Sequence, residues 1–365
     1  MIWLDITDPK YVLFFRPMLP LLESLDEVII TTRKSEEYDE CAKLLELFGI
    51  QTYCVGGYGG ASKEGKLRER LNRQKAFLEL FENLKQTPRL FITGASVEGV
   101  QSAFGLGIPV VNFADTPVAN HYFSLDSITI LSRLTLPLST LVFRPFVVPE
   151  ICYTSLGIES SRIKAYDFID VALWLHSVPL ATSQSRRDFC QKLSLNENLP
   201  IVLVREEEYK AHYVKEKLPI IEESIELLSK NLNINILIMP RYESKGLLER
   251  FGGDKNIRIY EQKLEPQEFY PHIDLLIGGG GTMNLEACYL GIPVISTRSL
   301  LLFHDCYLLE NGLMRHCKNA QEVLKLTQEI LHQNAPRNRQ ETLFEPKGRA
   351  SFEGIVQELQ CYFHL

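Results

Sequence analysis

Between residues 274 and 286 the chain reads Asp-Leu-Leu-Ile-Gly-Gly-Gly-Gly-Thr-Met-Asn-Leu-Glu. Four consecutive glycines follow an apolar run and open a helical pattern. Glycines at such a place let the backbone take positive φ and let a ligand approach the main chain closely. The amides at a helix start, helped by the helix dipole, bind anions. Gly279, Gly280 and Gly281 are therefore expected to surround a phosphate-sized anion. Thr282 can cap the helix or give its hydroxyl to a phosphate oxygen. Glu286 lies four residues beyond Thr282, one turn down the same face. A carboxylate there cannot serve the same phosphate, because like charges repel; it suits the two hydroxyls of a ribose about a turn away. The plainer alternative is a turn made tight only for packing.

Other polar residues sit just past apolar runs. Arg205 follows Ile201–Val204, where a guanidinium could grip a diphosphate bidentately, or could pair with the acids at 206–208. Asp115-Thr-Pro-Val-Ala-Asn-His121 follows Val110–Phe113 and holds an acid, an amide and an imidazole within one loop. Asp115 or His121 could take a proton from an attacking hydroxyl. In Asp5-Ile-Thr-Asp8-Pro-Lys10, Asp8 reads equally as a catalytic acid and as a helix N-cap before Pro9. Arg16 could ion-pair with a carboxylate or reach into a cleft, and the strand-end loops Ser296–Asp305, with His304 and Asp305, and Glu261–Leu264 could touch a ligand. No Asp-x-Asp pair stands at a strand end, so no metal is expected, and leaving-group charge falls to amides and Arg205.

These residues need strand ends to hold them. Short apolar runs alternate with longer helical patterns: strands at 2–6, 28–31, 51–55, 90–93 and 110–113, and helices at 11–25, 37–48, 66–84 and 97–104. The second half repeats this, with strands at 201–204, 234–239, 257–260, 275–278 and 294–296 and helices at 213–230, 245–251, 266–270 and 283–290. Such alternation implies parallel sheets covered on both faces. The halves also echo each other in sequence. Arg89–Asn112 aligns without gaps on Ile273–Ser296 through the shared Leu-Gly-Ile-Pro, with Gly107 on Gly291, a shift of 291 − 107 = 184 residues. Twin Rossmann-like domains are expected: 1–165 on the acceptor side, 166–345 on the nucleotide side, a linker near 150–185, and a last helix in 346–365 packing back on the first domain.

The bulk numbers exclude other classes. At 365 residues, 45% hydrophobic and 23% charged, the chain can bury two cores. Its formal net charge is −7, and its densest basic run, Lys63–Lys75, is interleaved with glutamates, so nucleic acid is not an expected partner. The 8 cysteines form no Cys-x-x-Cys pair, which argues against structural zinc. No secretory signal opens the chain and no apolar stretch of about 20 residues is free of charge, so a cytoplasmic location is expected.

Segment 274–296 resembles the nucleotide-binding region of GT-B glycosyltransferases and of the related UDP-N-acetylglucosamine 2-epimerases. That resemblance implies a diphosphate on the glycines and a ribose on Glu286. The wider pattern resembles the domain of unknown function numbered 354, at Trp3-Leu-Asp-Ile-Thr-Asp-Pro, Phe14-Phe-Arg-Pro17, Phe104-Gly-Leu-Gly-Ile-Pro109, Asp115-Thr, Leu134-Thr-Leu-Pro-Leu138 and Gly278–Glu286. Together these imply an α/β, GT-B-like fold with a central cleft. The activity implied is metal-independent transfer of a sugar from a nucleotide-sugar, with uridine diphosphate the expected carrier, to a cell-surface glycan or lipid-linked acceptor. Peripheral contact with a membrane would accompany the latter. No cofactor is expected beyond the donor substrate. Epimerase-like chemistry and a non-catalytic nucleotide-sugar sensor are the alternatives. Against the first, the Gly-Asp pair that the epimerases carry after their fourth strand is replaced by Gly94-Ala95-Ser96.

Overall fold

The structure is a computed structural model that describes the chain apart from residues 37, 61, 95, 180, 208–218, 242–243, 263 and 334–335. Its contacts group into two units. The first holds residues 1–119, 123–174 and 347–365; the second holds 120–122 and 175–346.

The first unit is built on a seven-stranded sheet. Its strands are β1 (Ile2–Asp5), β2 (Val28–Thr32), β3 (Tyr53–Cys54), β4 (Leu90–Thr93), β5 (Val110–Phe113), β6 (Leu141–Pro145) and β7 (Ile163–Tyr166). They lie in the order β3-β2-β1-β4-β5-β6-β7, all pairings parallel. β1 is central and its four residues are buried, as a strand covered on both faces must be. Trp3 of β1 sits among Phe77, Phe81 and Phe91, with ring centroids 4.7, 5.0 and 4.3 Å away. Beneath the sheet's C-terminal edge Arg73, from the helix Lys63–Leu84, forms a bidentate pair with Asp5, and both side chains are fully buried.

The second unit holds a six-stranded sheet in the order β10-β9-β8-β11-β12-β13. The strands are β8 (Ile201–Arg205), β9 (Asn235–Met239), β10 (Ile257–Ile259), β11 (Leu275–Gly278), β12 (Val294–Ser296) and β13 (Met314–His316). Pairings are again parallel. Val202, Ile236, Ile277 and Ile295 meet helix residues Ile225, Leu228 and Val323 in one buried cluster. Around the centre of each sheet the strand order is the same: β2-β1-β4-β5 in one and β9-β8-β11-β12 in the other. The order reverses beside the central strand, which is where open α/β sheets hold ligands.

The internal echo in the sequence is an echo in space. The helix Val97–Gly105 follows β4, and the helix Gly281–Tyr289 follows β11, at the same shift of 184 residues (281 − 97 and 289 − 105). Each is followed by a glycine in the left-handed region, Gly107 at φ 71° and Gly291 at φ 72°.

Several elements differ from expectation. The single helix expected over 11–25 is two helices, Pro9–Phe15 and Leu19–Glu23, joined by a 3-10 turn. Pro17 and Pro20 lack the amides that a continuous helix needs there. Residues 150–174, read as linker, instead belong to the first unit, and the first unit runs past 165 to Trp174. They supply β7, a sheet-edge strand whose Lys164 pairs with Glu358 of the helix Glu353–Phe363 at 2.8 Å. β6, β7 and β13 were not foreseen; each is short, and β6 ends in Arg-Pro. Of the helix expected over 213–230, residues 220–231 are helical and the beginning lies outside the described residues. Among the described residues no helix is long and apolar enough to cross a membrane.

Candidate functional site

In the second unit, register brings three strand ends level. Gly278 of β11 is paired with Arg205 of β8 on one side and Ser296 of β12 on the other. The chain then turns through the glycines. Gly279 donates its amide to the Arg205 carbonyl at 3.0 Å, and Thr297 donates to the Gly278 carbonyl at 3.2 Å. Gly280 is the N-cap of the helix Gly281–Tyr289, at φ −110° and ψ 150°, and among the described residues no side chain caps this helix.

None of the four glycines has a positive φ. The expectation of a left-handed turn is therefore corrected: the glycines are needed for space. A Cβ on Gly278 would stand 1.9 Å from Asn284 Oδ1, and one on Gly279 would stand 2.6 Å from the Glu207 backbone. On Gly280 and Gly281 the nearest atoms would be guanidinium nitrogens, of Arg241 at 3.4 Å and Arg298 at 3.3 Å. The helix start thus lies between two arginines. Thr282 is the second residue of the helix and does not cap it.

The twin helix shows what an occupied start looks like. There the N-cap is Ser96, at the position equivalent to Gly280 (96 + 184 = 280), and its hydroxyl accepts from Gly99 N at 3.1 Å. In the first unit the helix satisfies its own amides. In the second the side chain that would do so is absent, and the first amides of a helix have no intrahelical acceptor. An anion there gains about 0.3–1 kcal/mol from the dipole alone, and more when partly buried.

The positive charge around this turn is positioned. Arg298 is 9% exposed and pairs with Asp305. Asp305 also accepts the Leu302 amide at 2.8 Å, and His316 Nε2 meets the Arg298 carbonyl at 3.0 Å. Asp305 thus serves as an arginine anchor and helix cap. Arg205 donates to the carbonyls of Met239 and Pro240 at 3.0 and 2.6 Å. The Arg241 amide is accepted by Glu206 at 3.0 Å. Glu207 accepts from the amide and hydroxyl of Ser299, both at 2.7 Å. The acids at 206 and 207 therefore tie loops together, while Glu208 lies outside the described residues. Arg241 and Arg298 were not foreseen. The one usable signal was that Arg298 stands two residues past the end of β12.

Glu286 is 5% exposed, one turn below the glycine turn. Its Oε2 accepts from the hydroxyl of Tyr270 at 2.6 Å. Burial, and then the Glu286 carboxylate, push the Tyr270 phenol well above its ordinary value, so Tyr270 stays a donor. Glu261 of the expected base-facing segment accepts from Ser244, and Lys263 of that segment lies outside the described residues.

The first unit gathers a second polar group at its C-terminal sheet edge. Asp8 is exposed and caps the helix Pro9–Phe15, accepting the Lys10 amide at 2.9 Å. Lys10 Nζ bridges Asp115, at 2.5 Å, and Asp170. Tyr11 donates its hydroxyl to Asp115 at 3.3 Å and to the Phe113 carbonyl at 3.0 Å, and Tyr166 donates to Asp170 at 2.7 Å. Burial pulls the Lys10 ammonium down, but Asp115 and Asp170 outweigh it, and the net shift is upward. Asp170 was missed because it lies in no motif, and Lys10 because Asp8-Pro9 beside it already reads as a cap. His121 is exposed and groups with the second unit, whereas Asp115 belongs to the first. The Arg16 guanidinium lies 4.1 Å from the centre of the Phe48 ring.

A protein-family model described as "Protein of unknown function (DUF354)" matches residues 1–358. The uncharacterized protein MJ0665 of Methanocaldococcus jannaschii is 27% identical over 340 residues, covering 90% of this chain and 91% of its own. Among solved structures, the UDP-GlcNAc 2-epimerase of Neisseria meningitidis bound to UDP-GlcNAc matches with a TM-score of 0.72 at 16% identity, over 99% of both chains. The M. jannaschii UDP-GlcNAc 2-epimerase in complex with UDP-GlcNAc and UDP matches with a TM-score of 0.71 at 18% identity, again over 99% of both. At these identities the likeness establishes the fold, which is α/β and GT-B-like.

Proposed function

The chain belongs to the DUF354 protein family, and from that premise we propose that it is an enzyme that holds a uridine diphosphate sugar on the glycine turn of its second unit. The observation that carries the reading is the uncapped helix start at Gly280, set between Arg241 and Arg298, with the Glu286 carboxylate one turn below. The diphosphate takes the amides and guanidiniums, and Glu286 takes the ribose hydroxyls. Solved relatives of the same fold carry UDP-GlcNAc or UDP, which supports this ligand class.

The reaction proposed is sugar transfer to a glycan or lipid-linked hydroxyl. The acceptor oxygen loses its proton and forms the new bond to the sugar's anomeric carbon. The bond to the diphosphate breaks, and the leaving group gains about one negative charge. Donors fixed in place before the reaction stabilise that charge without reorganisation. Arg298 is fixed by Asp305, and Arg205 by two carbonyls. Asp115 accepts from Lys10 and Tyr11 and Asp8 accepts the Lys10 amide, so the proton acceptor is sought among Asp8, Asp115 and His121.

Epimerisation is the second reading, favoured by the whole-chain likeness to the 2-epimerases. It inverts a C–H centre and so needs groups that remove and return that proton. Glu98, the acid beside the end of β4, is 9% exposed and held by Arg73 and Arg70, each at 3.5 Å. Transfer is therefore preferred. Thermal stabilisation by a panel of nucleotide-sugars tests the ligand; saturation at 100 times the dissociation constant adds about 2.7 kcal/mol. Proton NMR of UDP-GlcNAc incubated with the protein then separates the reactions. A 2-epimer formed without acceptor overturns transfer, and no stabilisation by any nucleotide-sugar overturns the proposal itself.

A further inference from the structure

A second cationic site lies in the second unit, at the opposite edge of the sheet from the glycine turn. There, at the N-terminal ends of β8 and β11, Arg186, Arg337 and Arg339 line one pocket of about 350 Å3. Its remaining wall is mainly apolar and includes Val178, Leu290, Ile292 and the Tyr270 ring. The volume falls within the range of small-ligand pockets, roughly 300–1,000 Å3.

The three arginines are held mainly by backbone carbonyls. Arg186 donates to the carbonyls of His272 and Leu199 at 2.8 and 3.1 Å and to Asp274 at 2.9 Å. Arg337 donates to the Pro271 carbonyl at 3.1 Å and to the other oxygen of Asp274 at 2.8 Å. Arg339 donates to the carbonyls of His176, at 2.8 Å, and Val178. Arg186 and Arg337 thus share one carboxylate, and the acceptors given for Arg339 are neutral carbonyls. Burial lowers the Arg337 proton affinity, Asp274 raises it, Arg186 lowers it again, and the net is downward. His272, 5% exposed, is held below its ordinary value by burial and then by Arg186 and Arg337.

We propose that this pocket binds a small organic phosphate, its phosphoryl group against the three guanidiniums and its apolar body against Val178, Leu290 and Ile292. A phosphomonoester brings about two negative charges at neutral pH, and guanidinium forks match its oxygens. The pocket is also tied to the glycine-turn site. Tyr270 forms part of its wall and donates its hydroxyl to Glu286 at 2.6 Å. A ligand that presses on the ring acts on the carboxylate assigned to the ribose. Any such coupling is reciprocal: each ligand changes the other's affinity by the same factor.

Calorimetric titration with phenyl phosphate at pH 7.5 tests the pocket, using the wild type, Arg337→Gln and Ala181→Trp. Ala181 lines the pocket and is exposed, so a tryptophan there fills the opening without removing a cation. Expected are saturable binding to wild type, at least tenfold weaker binding to both variants, and binding that persists at saturating UDP. No saturable binding to wild type, an unchanged dissociation constant in Ala181→Trp, or displacement by UDP overturns the proposal. The coupling rests on the nucleotide reading of the glycine turn; the pocket does not. Phenyl phosphate is expected to shift UDP affinity in wild type and not in Tyr270→Phe. Equal UDP affinity with and without it in wild type removes the coupling. A protein that binds phenyl phosphate but no UDP refutes the nucleotide reading and leaves the pocket standing.

Discussion

The Tyr270 hydroxyl and the Glu286 carboxylate, both buried, share a hydrogen bond of 2.6 Å. The tyrosine comes from the short turn before β11 and the glutamate from the helix after it. The carboxylate is thereby oriented before any ligand arrives.

Replacing Glu286 with glutamine should keep the fold and weaken UDP binding by one to two powers of ten. Hydrogen bonds to a charged acceptor are worth about 1.5–3 kcal/mol each. Titration calorimetry against wild type decides this, and equal affinities remove Glu286 from the ribose.

The glycine turn should show a graded response. Gly279→Ala places a Cβ 2.6 Å from the Glu207 backbone and should cost about 1–3 kcal/mol of stability. Gly280→Ala meets nothing closer than Arg241 Nη1 at 3.4 Å and should fold normally. Gly280→Ser should also fold, because serine is a good N-cap. Its hydroxyl would then take the amide that a phosphate needs, as Ser96 does in the twin helix. Melting temperatures and UDP affinities of the three variants test the series. A Gly280→Ser protein with undiminished affinity would show that the amides are not the binding groups.

Much of this was legible before the structure. The Leu-Gly-Ile-Pro echo located both copies of the strand–helix–strand unit, because a left-handed glycine is required where each helix ends. The glycine run marked the turn that opens a helix, but those glycines clear space and do not adopt positive φ. Arg241 and Arg298 were not legible. They stand in irregular loops, where no period reports which way a side chain faces. Lys10 was hidden by its neighbour, since Asp8-Pro9 already explains that turn as a cap. β7 was invisible because it is a four-residue edge strand whose two middle positions, Lys164 and Ala165, are not buried, which leaves little apolar signal.

The buried pair of Arg73 and Asp5 should be a point of stability. Arg73→Ala leaves a carboxylate with no exposure beside an empty space and should cost about 3–5 kcal/mol in urea unfolding. A loss below about 1 kcal/mol would mean that water reaches Asp5 in the native state.

Stability should fall on mild acidification. The folded His272 holds its proton less tightly than the unfolded residue, whose ordinary value is 6.5. The unfolded chain therefore binds more protons below that pH, and stability declines as pH falls through 6.5 toward the folded value. The slope is bounded at about 1.4 kcal/mol per pH unit for one group. Urea midpoints between pH 5 and 8 should show it, and His272→Phe should flatten it. An unchanged slope in that variant assigns the effect elsewhere.

Nucleotide-sugar binding and turnover should survive EDTA, because arginines and helix amides are proposed to carry the diphosphate. Activity lost to chelation and restored by magnesium or manganese would overturn that assignment and leave the fold untouched.

Residues 347–365 belong to the first unit, and Phe352 packs its ring on Phe14 at 5.0 Å. They leave the ribosome only after residues 175–346 have been made. The unit that begins synthesis first is thus the one whose core closes last. Until then Phe14 and Phe113 lack the aromatic partner that covers them. The second unit, continuous apart from three residues, contains none of that last segment. A chain truncated after residue 346 and released should accordingly carry a finished second unit and an unfinished first, the reverse of the usual order of vectorial folding.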